Sequence, residues 1–184
     1  MKKTILTICI LCCGTIFSQK LTVTSEGLKN SEEIEKNYVV IQMDGKTSKE
    51  LYENAVKYVN KNYKNPTEAI KSTIENEYLK FETYAPNIII VKNMIQIPYA
   101  IKFTTELSFK EGKIKYEILE INMFNPVNKV PLYFSGSGFS DFVIFNKKGV
   151  LKRESTKNEI ENYFNSQIIS IKESLTEVKK EDKW

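Results

Sequence analysis

Enzymes work with groups that move protons, attack or hold metals, and this chain offers few of them. It has no histidine in 184 residues, so the commonest general base and metal ligand is missing. Cys9, Cys12 and Cys13 all lie in an apolar run near the N-terminus. Ser137 stands between Gly136 and Gly138, with Asp141 close behind. A serine nucleophile requires a base and an oxyanion hole. No imidazole is present and the spacing is not G-x-S-x-G, so this stretch reads as a flexible hinge. Glu106, Glu117 and Glu120 could supply the two carboxylates of a glycoside hydrolase. Lys102 and Lys115 stand near them in register, however, and cross-strand ion pairs on a wet sheet face account for the pattern. A hydrolase using carboxylates alone is the residual catalytic option. Asp44, Asp141 and Asp182 are too scattered for a calcium loop. We expect a non-enzyme and assign no catalytic residue, no cofactor-binding residue and no metal ligand.

Recognition is the chemistry that remains. The stretch F-N-P-V-N-K-V-P-L-Y-F-S-G-S-G-F-S-D, residues 124–141, combines prolines, a glycine hinge and aromatic side chains. Long connections without internal structure are uncommon and frequently functional. Phe124, Leu132, Tyr133, Phe134 and Phe139 are its candidate binding surface. The plainer reading tucks these aromatics under the C-terminal helix.

These residues need a scaffold, and period-2 patterning supplies it. Tyr99, Ile101, Phe103, Leu107 and Phe109 share one parity, against Ala100, Lys102, Thr104, Glu106, Ser108 and Lys110 on the other. That is a half-buried strand. Gly112 reverses the chain into a second strand carrying Ile114, Tyr116 and Ile118. After Ile118 the apolar side passes to Leu119, Ile121 and Met123. A face cannot change parity without an extra residue, so a β-bulge or sharp coil is expected near Ile118-Leu119.

Upstream, Tyr38–Met43 reads as a strand, and Thr47-Ser48-Lys49-Glu50 as a capping box opening a helix over 48–63. Residues 69–74 and 77–84 read as a hairpin, Pro86-Asn87 as a break, and Ile88–Val91 as a short strand or the lead-in to one. Phe142–Phe145 makes another strand. Ile160, Phe164, Ile168, Ile171, Leu175 and Val178 form one apolar stripe of a helix over about 157–179, with a second capping box at Thr156 and Glu159. A cavity between sheet and helix would be lined by Tyr99, Phe103, Ile160, Phe164 and Ile168, and would suit a small apolar ligand.

Met1-Lys2-Lys3, an apolar run to Phe17 and a small residue at Ser18 have the form of a secretory signal peptide over 1–18. Cleavage after Ser18 leaves Gln19 first. Lipidation at Cys12 or Cys13 is disfavoured, because neither follows a small residue. The run is short for a membrane span, and the mature chain has no transmembrane segment. Residues 19–35 read as a flexible N-terminal arm, with a short strand at 21–24 as the alternative, and 36–184 as one domain. Without Lys2 and Lys3 the charge falls from +4 to +2, and Arg153 is the sole arginine. Neither fits a nucleic-acid binder.

The order of strand, capped helix, meander and long hairpin resembles the bacterial domain of unknown function 4468 family. The resembling stretches are Y-V-V-I-Q-M-D-G-K-T-S-K-E-L-Y-E-N-A-V-K-Y-V-N-K-N-Y and Y-A-I-K-F-T-T-E-L-S-F-K-E-G-K-I-K-Y, within about 34–122. The resemblance implies a TBP-like fold and an exported or envelope-associated protein, and supplies no site residues. The expected class is α+β: a TBP-like twisted antiparallel sheet with helices packed on one face, a helix-grip or cystatin-like arrangement being the alternative. The expected role is a non-catalytic binding or interaction module of the bacterial envelope, periplasmic or secreted. Its partner would be an envelope protein or a small apolar ligand.

Overall fold

The computed structural model describes residues 19–92, 95–136 and 142–176. The expected signal peptide, the three cysteines, Ser137, Phe139, Asp141, Val178 and Asp182 lie outside them. The elements run β1 (Leu21–Thr24), β2 (Gly27–Asn30), β3 (Tyr38–Gln42), α1 (Ser48–Asn62), α2 (Pro66–Ala69) and β4 (Ile70–Ile74). They continue with β5 (Tyr78–Lys92), β6 (Gln96–Lys110), β7 (Lys113–Phe124), β8 (Pro131–Gly136), β9 (Val143–Asn146) and α3 (Glu154–Thr176).

The β6–β7 hairpin is the axis of the main sheet. It zips antiparallel from Lys110↔Lys113 to Ala100↔Phe124, turning at Gly112 with φ +69°. β5 and then β4 extend the sheet beyond β6. On its other edge β7 carries β3 along 113–117 and β8 at 123–124. β9 joins β8 in parallel, among the described residues the one departure from the antiparallel expectation. A Cβ at Gly136 would lie 2.9 Å from Val143 Cγ1, so this parallel approach requires glycine.

The extra residue foreseen in β7 is there, slightly further on than expected. The register shifts between Lys102↔Asn122 and Thr104↔Leu119, and Glu120 takes φ +53°. Ile118 stays on the core face, Leu119 does not, and Met123 is buried beyond the bulge. Pro86-Asn87 does not break the chain as expected. β5 runs through it by a second register shift between Ala85 and Ile89, with Asn87 at φ +56°. A bulge accommodates a proline because the ladder there asks for no N–H.

α1 and α3 cover one sheet face. α1 has the predicted capping box: the Glu50 N–H donates to Thr47 Oγ1, and the Thr47 N–H donates to the Glu50 side chain. α3 buries Ile160, Phe164, Ile168, Ile171 and Leu175, as the stripe requires. It starts earlier than expected, at Glu154. Thr156 is then an interior residue, 1% exposed, and the expected capping box does not form. Glu159 instead accepts the Ile90 N–H at 2.7 Å and closes an amide of β5.

Residues 19–35 are not the flexible arm expected. Leu21–Thr24 pairs with Gly27–Asn30, and Leu21, Val23 and Leu28 join the core. The alternative, a short strand at 21–24, is the one that forms, although Leu21, Val23 and Leu28 are few apolar points for so polar a stretch. α3 makes up the difference with side-chain bonds to its backbone.

Candidate functional site

The sheet face away from the helices carries the wet parity of β5, β6 and β7. Its carboxylates are spoken for. Glu106 and Glu117 oppose each other across the β6–β7 ladder, an unfavourable like-charge pair on its own. Lys115 resolves it, with Nζ 2.8 Å from Glu117 and 3.7 Å from Glu106. Tyr78 donates its hydroxyl to Glu106, and Asn37 Nδ2 donates to Glu117. The Glu117 hydrogen bond, helped by Glu106, holds Lys115 above its ordinary pKa in spite of partial burial. Alongside, Glu82 bridges Lys102 and Lys71, and its hydrogen bond to Lys102 lowers its pKa. Glu120 meets Lys80 and accepts the Thr104 hydroxyl at 2.8 Å. Glu106 and Glu117 are thus both engaged by Lys115, Glu106 across the ladder and Glu117 along its own strand, while Lys102, expected beside them, serves Glu82. Among the described residues no group of three or more acidic or cysteine side chains could hold a metal.

Past the β7 bulge the same face turns aromatic. Tyr84 on β5 stacks on Phe124 on β7, with centroids 6.3 Å apart and planes at 25°. Lys102 and Ala100 of β6 lie in register between them. Ala100 is fully buried, and its small side chain lets the two rings approach across it. Lys129 Nζ sits 5.4 Å from the Phe124 centroid, a cation–π contact. Pro131 pairs with Phe124, so the alternation of β8 puts Tyr133 on this face as well. Tyr84 is 53% and Tyr133 50% exposed.

The expected aromatic surface therefore divides. Leu132 is core, 2% exposed. Phe134 packs partly buried against the core, its ring 4.0 Å from where a Cβ on Gly27 would lie. Phe124 and Tyr133 reach the open face, and Phe139 lies outside the described residues. The division arises because residues 131–136 are a strand, with sides that alternate, and not a loop. Tyr84 was missed, although the parity of Tyr78, Lys80, Glu82 and Tyr84 already placed it on the wet side.

The expected cavity residues meet on the other face. Tyr99, Phe103, Ile160, Phe164 and Ile168 expose 2% or less. Phe103 packs edge-on against Phe164 at 5.0 Å and against Tyr163 at 6.0 Å. Tyrosines are dense here. Tyr63 shares a hydrogen bond with Thr83, and burial pushes the Tyr163 hydroxyl up to about 12. Burial raises Tyr116 well above its ordinary value, with Tyr163, Tyr58 and Tyr63 adding to the effect. The Tyr116 hydroxyl has no hydrogen-bond partner and neither has that of Tyr99. Thr105 stands near the Tyr116 hydroxyl without the geometry of a bond.

The fold so defined is an α+β sandwich, one twisted, mainly antiparallel sheet with helices on a single face, the TBP-like arrangement expected. Its likeness to a solved DUF4468 structure agrees. A DUF4468 family protein from Bacteroides ovatus superposes with a TM-score of 0.52 at 12% identity, over 78% of this chain and 86% of that one. A TBP-like protein from Parabacteroides distasonis gives 0.49 at 12% identity, over 74% and 90%. The resemblance to the domain of unknown function 4468 family thus holds at the level of the fold. No family model matches the sequence, and no curated protein matches it.

Proposed function

We propose that the chain is an exported, non-catalytic binding module of the bacterial envelope that engages its partner through the open sheet face around Tyr84, Phe124 and Tyr133. One observation carries this reading. The charges on that face are paired with one another, while Tyr84 and Tyr133 stay half exposed on it. Tyrosine combines apolar area with a polar tip and is enriched where proteins bind. The leader-like N-terminus supports export. Among the described residues no helix is long and apolar enough to cross a membrane.

The test is retention of an envelope protein from extracts on immobilised protein, with a Tyr84→Ser, Tyr133→Ser double variant alongside. A partner held by the parent and lost by the variant, at unchanged circular dichroism, is expected. Equal retention by a folded variant refutes the surface. The rival role, carriage of a small apolar ligand between sheet and α3, requires the Phe103–Phe164 contact to part. Native mass spectra of the exported protein would then show a copurifying lipid-like mass.

A further inference from the structure

The main sheet's β3 edge is closed by an amide side chain from the residue that cleavage would make first. Gln19 Oε1 accepts the Val40 N–H at 2.7 Å and the Asn30 Nδ2 at 3.3 Å. Asn30 Nδ2 also donates to the Tyr38 carbonyl at 3.2 Å. Because Val40 offers an N–H, the atom facing it must be the oxygen. Among the described residues Gln19 Nε2 makes no hydrogen bond, and Gln19 is only half-buried. The structure thus uses one end of this amide and leaves the other idle.

We propose that Gln19 is a modification site, where the mature N-terminus closes to pyroglutamate. This rests on the export reading, and specifically on cleavage after Ser18. The freed α-amine attacks Cδ of its own side chain and forms the C–N bond of a five-membered lactam. The Cδ–Nε2 bond breaks, and the nitrogen leaves as ammonia with the proton given up by the amine. The step is intramolecular and needs no oxidant or other reactant. The oxygen that holds Val40 and Asn30 is retained as the lactam carbonyl, and the nitrogen that leaves is the one without a partner. Cyclisation also removes a positive charge beside the β3 edge and blocks attack by aminopeptidases.

The experiment is N-terminal mass spectrometry of the full chain expressed with its leader and recovered from the envelope or medium. The expected result is a chain starting at residue 19 and lighter by one ammonia, resistant to aminopeptidase until a pyroglutamyl peptidase is added. A chain starting at Gln19 with a free amine overturns cyclisation and leaves the cleavage reading standing. A chain starting at any other residue overturns both.

Discussion

The side-chain amide of Asn165 pairs with the backbone of Leu21 at both ends. Leu21 N–H donates to Asn165 Oδ1 at 2.8 Å, and Asn165 Nδ2 donates to the Leu21 carbonyl at 2.9 Å. A helix side chain here stands in for a neighbouring strand. One turn earlier, Glu161 accepts the Val23 N–H at 2.8 Å and the Thr22 hydroxyl at 2.6 Å. An exposed strand edge invites pairing with other chains, and α3 closes this one.

Asn165→Ala leaves both Leu21 groups unpaired. The expected cost is about 1–3 kcal/mol, the penalty for stranding buried backbone groups. Amide exchange should rise through Leu21–Asn30, with the β6–β7 amides still protected. An unchanged melting temperature and exchange pattern would show that the bidentate contact contributes nothing.

Glu161 makes the hairpin acid-sensitive. Burial pushes its carboxyl up, but Lys157, the Thr22 hydroxyl and the Val23 N–H together hold it below the ordinary 4.5. A carboxyl lowered on folding stabilises the fold above its unfolded pKa, and that stability is lost as pH falls through the folded value. Stability should therefore decline below about pH 4.5, with a shallower decline in Glu161→Gln. Denaturant titrations at stepped pH read the difference, and identical acid limbs in parent and variant would count against it.

Tyr116→Phe should stabilise the protein. The hydroxyl is fully buried without a partner, and removing it relieves a desolvation cost of about 1–3 kcal/mol while the ring still fills the core. Phe164→Ala is the contrast. It empties the space against Phe103 and should cost about 3–5 kcal/mol. Thermal melts decide both, and a lower midpoint for Tyr116→Phe would mean that the hydroxyl has a partner after all.

Deleting Glu120 removes the bulge residue. The parity set by Ile114, Tyr116 and Ile118 would then carry on unbroken through Ile121 and Met123, which keep their core side, because Asn122 would follow Leu119 by two residues, matching the spacing of Lys102 and Thr104 opposite. A soluble, folded protein with a straightened β7 is expected. Glu120→Ala, which keeps the count and loses only the Thr104 and Lys80 contacts, should cost about 1 kcal/mol. An insoluble or unfolded deletion variant would refute the reading of Glu120 as the one extra residue.

Much of the scaffold was legible in the order of residues. The capping box at Thr47, the α3 stripe and the parity change in β7 are local patterns, and local patterns fix local geometry. The candidate site was only half legible. Phe124 and Tyr133 were picked out by composition, but Leu132 and Phe134 were wrongly grouped with them, because nothing local separates a strand flanked by prolines from a loop. Tyr84 was passed over because its stacking partner lies 40 positions away in sequence.

Taken alone, the sequence determined which side chains point the same way: core against wet, helix stripe against solvent. It also excluded histidine chemistry outright. Tertiary structure decided what those faces meet. It folded residues 19–35 onto α3, turned Glu159 from a cap into a partner for Ile90, set Lys115 between two opposed glutamates, and brought Tyr84 over Ala100 to Phe124. The physical reason is range. Periodicity and capping act within a few residues of chain, whereas hydrogen bonds, ion pairs and ring contacts across strands depend on register, which only the assembled sheet supplies.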